Sequence, residues 1–149
     1  MNKNIYVYDE HCTVLADWFD KKLTSQTLIY IDAHLDLQLV TKSRLKKLLR
    51  IKTKKTFKKY EKTNHFRPDD NSIYGLENFL FPAFKLGIID HLIWVAPPHV
   101  PVEISEQVIS FVQQMDGVEF DEILNLKQSP QGWFHGQLLG LPITVCRLE

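Results

Sequence analysis

Four apolar residues, Leu28-Ile29-Tyr30-Ile31, run directly into Asp32-Ala33-His34-Leu35-Asp36. An unbroken apolar run of this length suits a strand covered on both faces, as in a parallel sheet flanked by helices. Strand side chains alternate, so Asp32, His34 and Asp36 share one side while the run stays extended. Ligands of open α/β sheets gather outside the carboxyl ends of strands, which is where these three residues fall. Two carboxylates and an imidazole suit a borderline-hard divalent ion such as manganese or zinc. The plainer alternative is a strand ending in a polar loop, with Asp32 capping a turn and His34 in solvent.

The surrounding pattern supports an α/β chain. Ile5-Tyr6-Val7-Tyr8 reads as a first short strand. A helical stripe follows, with Val14, Leu15, Trp18 and Phe19 on one face and Asp17, Asp20 and Lys21 on the other. Strand, helix and strand make a βαβ opening. His11 then lies between the first strand and its helix, on the sheet edge where Asp32, His34 and Asp36 are expected. It joins them as a fourth candidate ligand, against the plain reading of a residue in the first helical turn.

Further along, Leu76, Phe79, Leu80, Ala83 and Phe84 mark a helix that Gly87 ends. Pro82 inside that stripe should shorten or kink it. Leu92 to Ala96 gives a buried strand stopping at Pro97-Pro98-His99. His99 is a weak candidate for a catalytic base, and Trp94 could line the same pocket. Pro101 opens a further helix closed by Gly117, with Ile104, Val108, Phe111, Val112 and Met115 inward. Residues 118–126 hold a strand, and Trp133–Leu139 with Ile143–Arg147 form a hairpin about Gly140-Leu141-Pro142. The expected fold is one α/β domain over residues 1–149, a three-layer sandwich with a mainly parallel sheet and a C-terminal hairpin.

Composition excludes several classes. At 149 residues and 44% hydrophobic content the chain can bury a core, and it has no apolar segment long enough to span a bilayer. There is no signal-peptide pattern at the N-terminus, and two cysteines make no disulfide framework, so a cytoplasmic location is expected. Net charge is zero, yet 12 of the 18 Lys and Arg lie between Lys42 and Arg67, opposed only by Glu61. Residues 42–67 therefore read as an exposed basic insertion. Such a run can track nucleic-acid phosphates or meet an acidic partner, although nothing beside it reads bases. A non-catalytic binding module using residues 42–62 is the alternative to a metal-dependent enzyme.

Asp32-Ala33-His34-Leu35-Asp36 resembles the first metal motif of the arginase–agmatinase (ureohydrolase) superfamily, distantly related to histone deacetylases. Asp9-Glu10-His11-Cys12 is similar in placement to the family's histidine that enters a helix, without the usual preceding glycines. Glu77-Asn78-Phe79-Leu80 and Leu92-Ile93-Trp94-Val95-Ala96-Pro97 resemble later segments of one arginase-like group. The resemblance implies a metal-dependent hydrolase acting on C–N bonds of guanidino or amide substrates, with two manganese ions or, in the deacetylase branch, one zinc. It implies that His11 and Asp36 hold one ion, His34 the other, and that Asp32 bridges both. The superfamily also uses a second motif, Asp-x-Asp, which these 149 residues do not contain. The resemblance therefore covers the N-terminal part of such a domain and half of its binuclear site.

Overall fold

The fold is seen in a computed structural model that describes residues 5–38, 40–62, 71–98, 124–130 and 132–147. Two compact units divide the chain: Ser25–Leu35 with Ile89–Glu149, and Met1–Thr24 with Asp36–Ile88.

The first of these is the sheet unit. Its strands are β1 (Gln26–Ile31), β2 (Ile89–Ala96), β3 (Leu124–Gln128), β4 (Phe134–Leu138) and β5 (Leu141–Arg147), in the spatial order β1-β2-β5-β4-β3. Burial on β2 alternates, with Leu92, Trp94 and Ala96 covered and Ile93 and Val95 half-covered. Leu92 lies opposite Ile143 and Trp94 opposite Val145, so one face of the sheet carries a continuous apolar layer. The β4–β5 turn is short because Leu139 (φ 54°) and Gly140 (φ 79°) both take left-handed backbone. Two such residues make the hairpin turn whose twist matches its strands. Pro142 costs no ladder bond to β2, because the β2–β5 register begins only at Ile143.

The other unit is helical. A single 3-10 turn (His11–Thr13) leads into α1 (Val14–Asp20), followed by α2 (Lys42–Leu49), α3 (Lys54–Lys58) and α4 (Leu80–Lys85). Helices this short are unstable alone, so tertiary anchors hold them. Phe57 of α3 is fully buried, stacked on Phe19 with ring centroids 4.4 Å apart and tilted against Tyr74 at 5.3 Å. Leu15, Leu48, Phe79 and Leu80 are buried as well. At the end of α1, Leu23 N–H donates to the Trp18 carbonyl (3.1 Å) and Lys22 N–H to that of Phe19 (3.0 Å). Ile88 and Gly87 repeat the arrangement after α4 with Ala83 and Phe84 (3.0 and 2.8 Å). Both ends are Schellman motifs, which need a left-handed residue. Gly87 (φ 70°) supplies it in one, and Lys22 (φ 54°) in the other.

An α/β class therefore holds, with three corrections. The sheet is mixed rather than mainly parallel: β1–β2 and β2–β5 are parallel, whereas β5–β4 and β4–β3 are antiparallel. The expected strand at Ile5–Tyr8 does not form. Ile5 and Val7 are each 90% exposed, and the aromatic residues instead engage α1: Lys21 Nζ sits 3.4 Å from the Tyr6 ring centre and the Tyr8 hydroxyl donates to Asp17 at 2.7 Å. The opening is thus helix then strand, and the parallel pair β1–β2 is joined through residues 32–88, ample for the long connection a parallel pair requires. β1 is covered on one face only: Tyr30 is buried, whereas Ile29 and Ile31 are 64% and 62% exposed. As Pro82 implied, the fourth helix is short: it begins only at Leu80, which places Pro82 in its first turn, where the missing N–H is tolerated. The helix expected over 101–117 and residues 118–123 lie outside the described residues.

Candidate metal centre

β1 ends at Ile31, and the chain does not stay extended through Asp36 as the alternation argument required. It bends at Ala33-His34, and Asp36 adopts a left-handed backbone (φ 45°), a conformation that Asp tolerates better than most residues. Asp32, His34 and Asp36 therefore do not fall on one side by strand geometry.

Within the sheet unit, Asp32 is held from three directions. Its Oδ1 accepts the backbone N–H of His34 at 2.9 Å, and its Oδ2 accepts the Tyr30 hydroxyl at 3.3 Å. Its carbonyl accepts the indole N–H of Trp94 at 2.8 Å. Tyr30 and Trp94 are opposite one another across β1 and β2, so the sheet register places both donors beside the strand end. The Asp32–His34 bond is an Asx turn, as the plainer reading proposed. The His34 ring is 84% exposed, with Nδ1 3.7 Å from Asp32 Oδ1.

Within the helical unit, His11 and Asp36 meet. His11 Nε2 lies 2.9 Å from Asp36 Oδ2 although 25 residues separate them. The Asp36 side chain is 9% exposed and that of His11 43%. A carboxylate this shielded is stable only beside hydrogen-bond donors or positive charge, and the imidazole is one such neighbour. The His11 ring also tilts against Phe79 (centroids 5.3 Å apart), while Leu80 N–H donates to the Asp36 carbonyl at 3.3 Å. Segment 79–80 thus supports both members of the pair. Asn78 fixes that segment by accepting the Gly75 N–H at 2.8 Å.

Asp32 and Asp36 are joined by only Ala33, His34 and Leu35. Of the four expected ligands, His11 and Asp36 are paired directly, Asp32 is oriented by its own hydrogen bonds, and His34 faces solvent. His99 lies outside the described residues. Sequence reading overlooked Tyr30 as a support of Asp32. Its signal was the two-residue spacing, which puts a phenol on the same strand face as the carboxylate. Phe79 was noted for its segment but not as a wall for the His11 ring.

The basic stretch is part of the helical unit where it is described, over residues 42–62. Leu48 and Phe57 are buried, Lys54 forms an ion pair with Asp17, and Lys62 Nζ lies 2.8 Å from Glu77 Oε1. Lys54 donates to Asp17 and, with the Tyr8 hydroxyl, holds that carboxyl below its ordinary range. Donating its own hydrogen bond to Asp17 pushes the Tyr8 phenol up to about 12. Burial pushes the Cys12 thiol up to about 12, so it stays protonated at neutral pH.

No family model matches the chain, and neither the curated proteins nor the solved structures provide a match. Among the described residues, no helix is long and apolar enough to cross a membrane.

Proposed function

We propose that this chain carries a divalent-cation half-site and acts as a metal-dependent hydrolase-like domain on C–N bonds of guanidino or amide substrates. The observation that carries the reading is the His11–Asp36 pair, an imidazole nitrogen and a shielded carboxylate brought together from distant parts of the chain. Asp32 stands on the same short segment as Asp36 with its carboxylate already oriented. His11 and Asp36 offer one donor atom each to such an ion. His34 is the remaining donor on that segment.

The donor set fits a borderline-hard cation, with manganese preferred and zinc the alternative. Such an ion supplies Lewis acidity that lowers the pKa of water from about 15.7 to about 7. The protein's own residues do the positioning. Phe79 backs the His11 ring, and Tyr30 and Trp94 fix Asp32, as groups behind metal ligands commonly do. The arginase-like kinship belongs to this proposal, supported by the Asp-Ala-His-Leu-Asp motif and by the Asn78-Phe79-Leu80 segment beside it. So does the three-layer arrangement, for which the open apolar positions Ile29 and Ile31 are the support. A reducing, cytoplasmic setting completes it, supported by Cys12 and Cys146 both being free thiols.

The test is a screen of guanidino and amide compounds for urea, ammonia or amine release by manganese-loaded protein. Release that stops with chelator and in Asp32→Ala supports the reading. Release indifferent to both overturns it.

A further inference from the structure

Between Lys42 and Lys59 the chain has ten Lys and Arg and no Asp or Glu. The fold sorts these cations into two kinds. Lys54, half-buried, turns inward to Asp17, and beyond this stretch half-buried Lys62 turns inward to Glu77. The other nine, Lys42, Arg44, Lys46, Lys47, Arg50, Lys52, Lys55, Lys58 and Lys59, are exposed, and none forms an ion pair among the described residues. A surface laced with pairs of both signs would be an ordinary solvated face. Here the fold pairs the inward lysine with a carboxylate, and the outward ones form no ion pair among the described residues.

Their spacing gives the face a direction. Lys42, Lys46 and Arg50 recur every fourth position along α2, so they form a row with about 6 Å between successive members. Lys47 lies beside that row, and Leu48 is buried on the opposite side. The chain turns at Ile51–Thr53, where Ile51 is buried, and α3 continues with Lys55, Lys58 and Lys59 exposed. Phe57 and the Thr53 cap, whose Oγ1 accepts the Thr56 N–H at 3.3 Å, hold that second stretch in place. The cations therefore sit on a folded, bent support rather than on a loose tail.

We propose that the exposed faces of α2 and α3 bind the sugar–phosphate backbone of single-stranded nucleic acid. A row of ammonium and guanidinium groups suits regularly spaced phosphates, and it needs no base-reading group to do so. A single strand can follow a bend between two short helices. A rigid duplex would meet these helices with neither a long recognition helix nor a ribbon to enter a groove. An acidic peptide would share the charge but not the regular phosphate spacing. This inference rests on the charge and spacing of these cations and does not depend on the proposed cation site.

The test is fluorescence anisotropy of the full chain with labelled 20-mers of uridine RNA and thymidine DNA, in EDTA so that any bound metal is removed. If six of the nine cations engage phosphates, affinity falls about 300-fold between 50 and 200 mM salt. Neutralising Lys46, Lys47 and Arg50 to Gln then weakens binding and lowers the salt slope by about 2. A second variant, Lys55→Gln, Lys58→Gln and Lys59→Gln, does the same from α3. Lys127→Gln, on β3, leaves binding unchanged. RNA and DNA bind within a fewfold of each other, because phosphate is what they share. No binding at 50 mM salt overturns the proposal, as does binding unaffected by both triple variants. Equal affinity for a polyglutamate of the same charge overturns it too.

Discussion

Replacing Phe57 by alanine asks whether the basic stretch is truly built into the helical unit. Phe57 is fully buried, stacked on Phe19 at 4.4 Å and tilted against Tyr74 at 5.3 Å. Removing a buried phenyl ring costs about 3–5 kcal/mol, with the larger losses where the site cannot collapse. Here collapse is opposed on both sides. Thr53 caps the helix at its start, and beyond its end Ile73 N–H donates to the Tyr60 carbonyl and Lys62 N–H to that of Tyr74, each at 2.7 Å. The upper half of the range follows, about 4 kcal/mol. The assay is urea unfolding followed by helical circular dichroism, since every described helix belongs to this unit. Lys55→Ala, on the exposed side of the same helix, should change stability by less than about 0.5 kcal/mol. A double-mutant cycle of Phe19→Leu with Phe57→Leu should show coupling of about 0.5–1.5 kcal/mol for the ring pair. A loss under about 1 kcal/mol in Phe57→Ala would show that α3 is not anchored by its ring, and the fixed support assigned to the cations would fall with it.

Three further outcomes are expected. Asp17 has a lowered pKa, first from the Lys54 hydrogen bond and then from that of Tyr8, so its stabilisation is present above its ordinary 3.8 and fades as pH falls through the lower folded value. The urea midpoint of the native protein should therefore drop more steeply below pH 3.8 than that of Asp17→Asn, and parallel profiles would contradict the pairing. The Tyr8 phenol, raised to about 12, should appear as a late-titrating group in ultraviolet absorbance that Tyr8→Phe removes; its stabilising effect is complete below 10 and lost as pH passes the raised value. Lys22→Gly should raise stability by about 1 kcal/mol in urea unfolding, because glycine relieves a left-handed backbone, whereas Gly87→Ala should lower it by a similar amount.

What could be read from sequence were the elements whose local chemistry and tertiary setting agree. Gly87 announced a helix end, Gly140-Leu141-Pro142 a hairpin whose turn falls slightly earlier, at 139–140, and the run from Leu92 to Ala96 a strand, because each is set by nearby residues. Lys22 fills the role of Gly87 at the end of α1, but a lysine gives no sign of positive φ. Ile5–Tyr8 has strand composition, yet a strand needs a neighbour, and the helix offers Asp17 and Lys21 instead. The apolar run of β1 was taken as covered on both faces, but Ile29 and Ile31 are open, and a strand apolar on both sides carries no periodicity that reveals which face the fold leaves uncovered. At the candidate site the residue types were legible and their geometry was not. Strand alternation put Asp32, His34 and Asp36 on one side. The bend at Ala33-His34 and the left-handed Asp36 replaced that order with one in which Asp36 faces His11 and His34 faces solvent.

The central claim concerns a cation, and manganese(II) offers a direct reading of it. The six-line electron paramagnetic signal of the free aqueous ion disappears on binding, so titration against the full chain gives affinity and stoichiometry together. The account predicts saturable binding, weakened at least tenfold in Asp36→Ala, in His11→Ala and in Asp32→Ala, with circular dichroism confirming that each variant is folded. A folded protein that takes up neither manganese nor zinc would contradict it, as would three variants that bind manganese like the native chain.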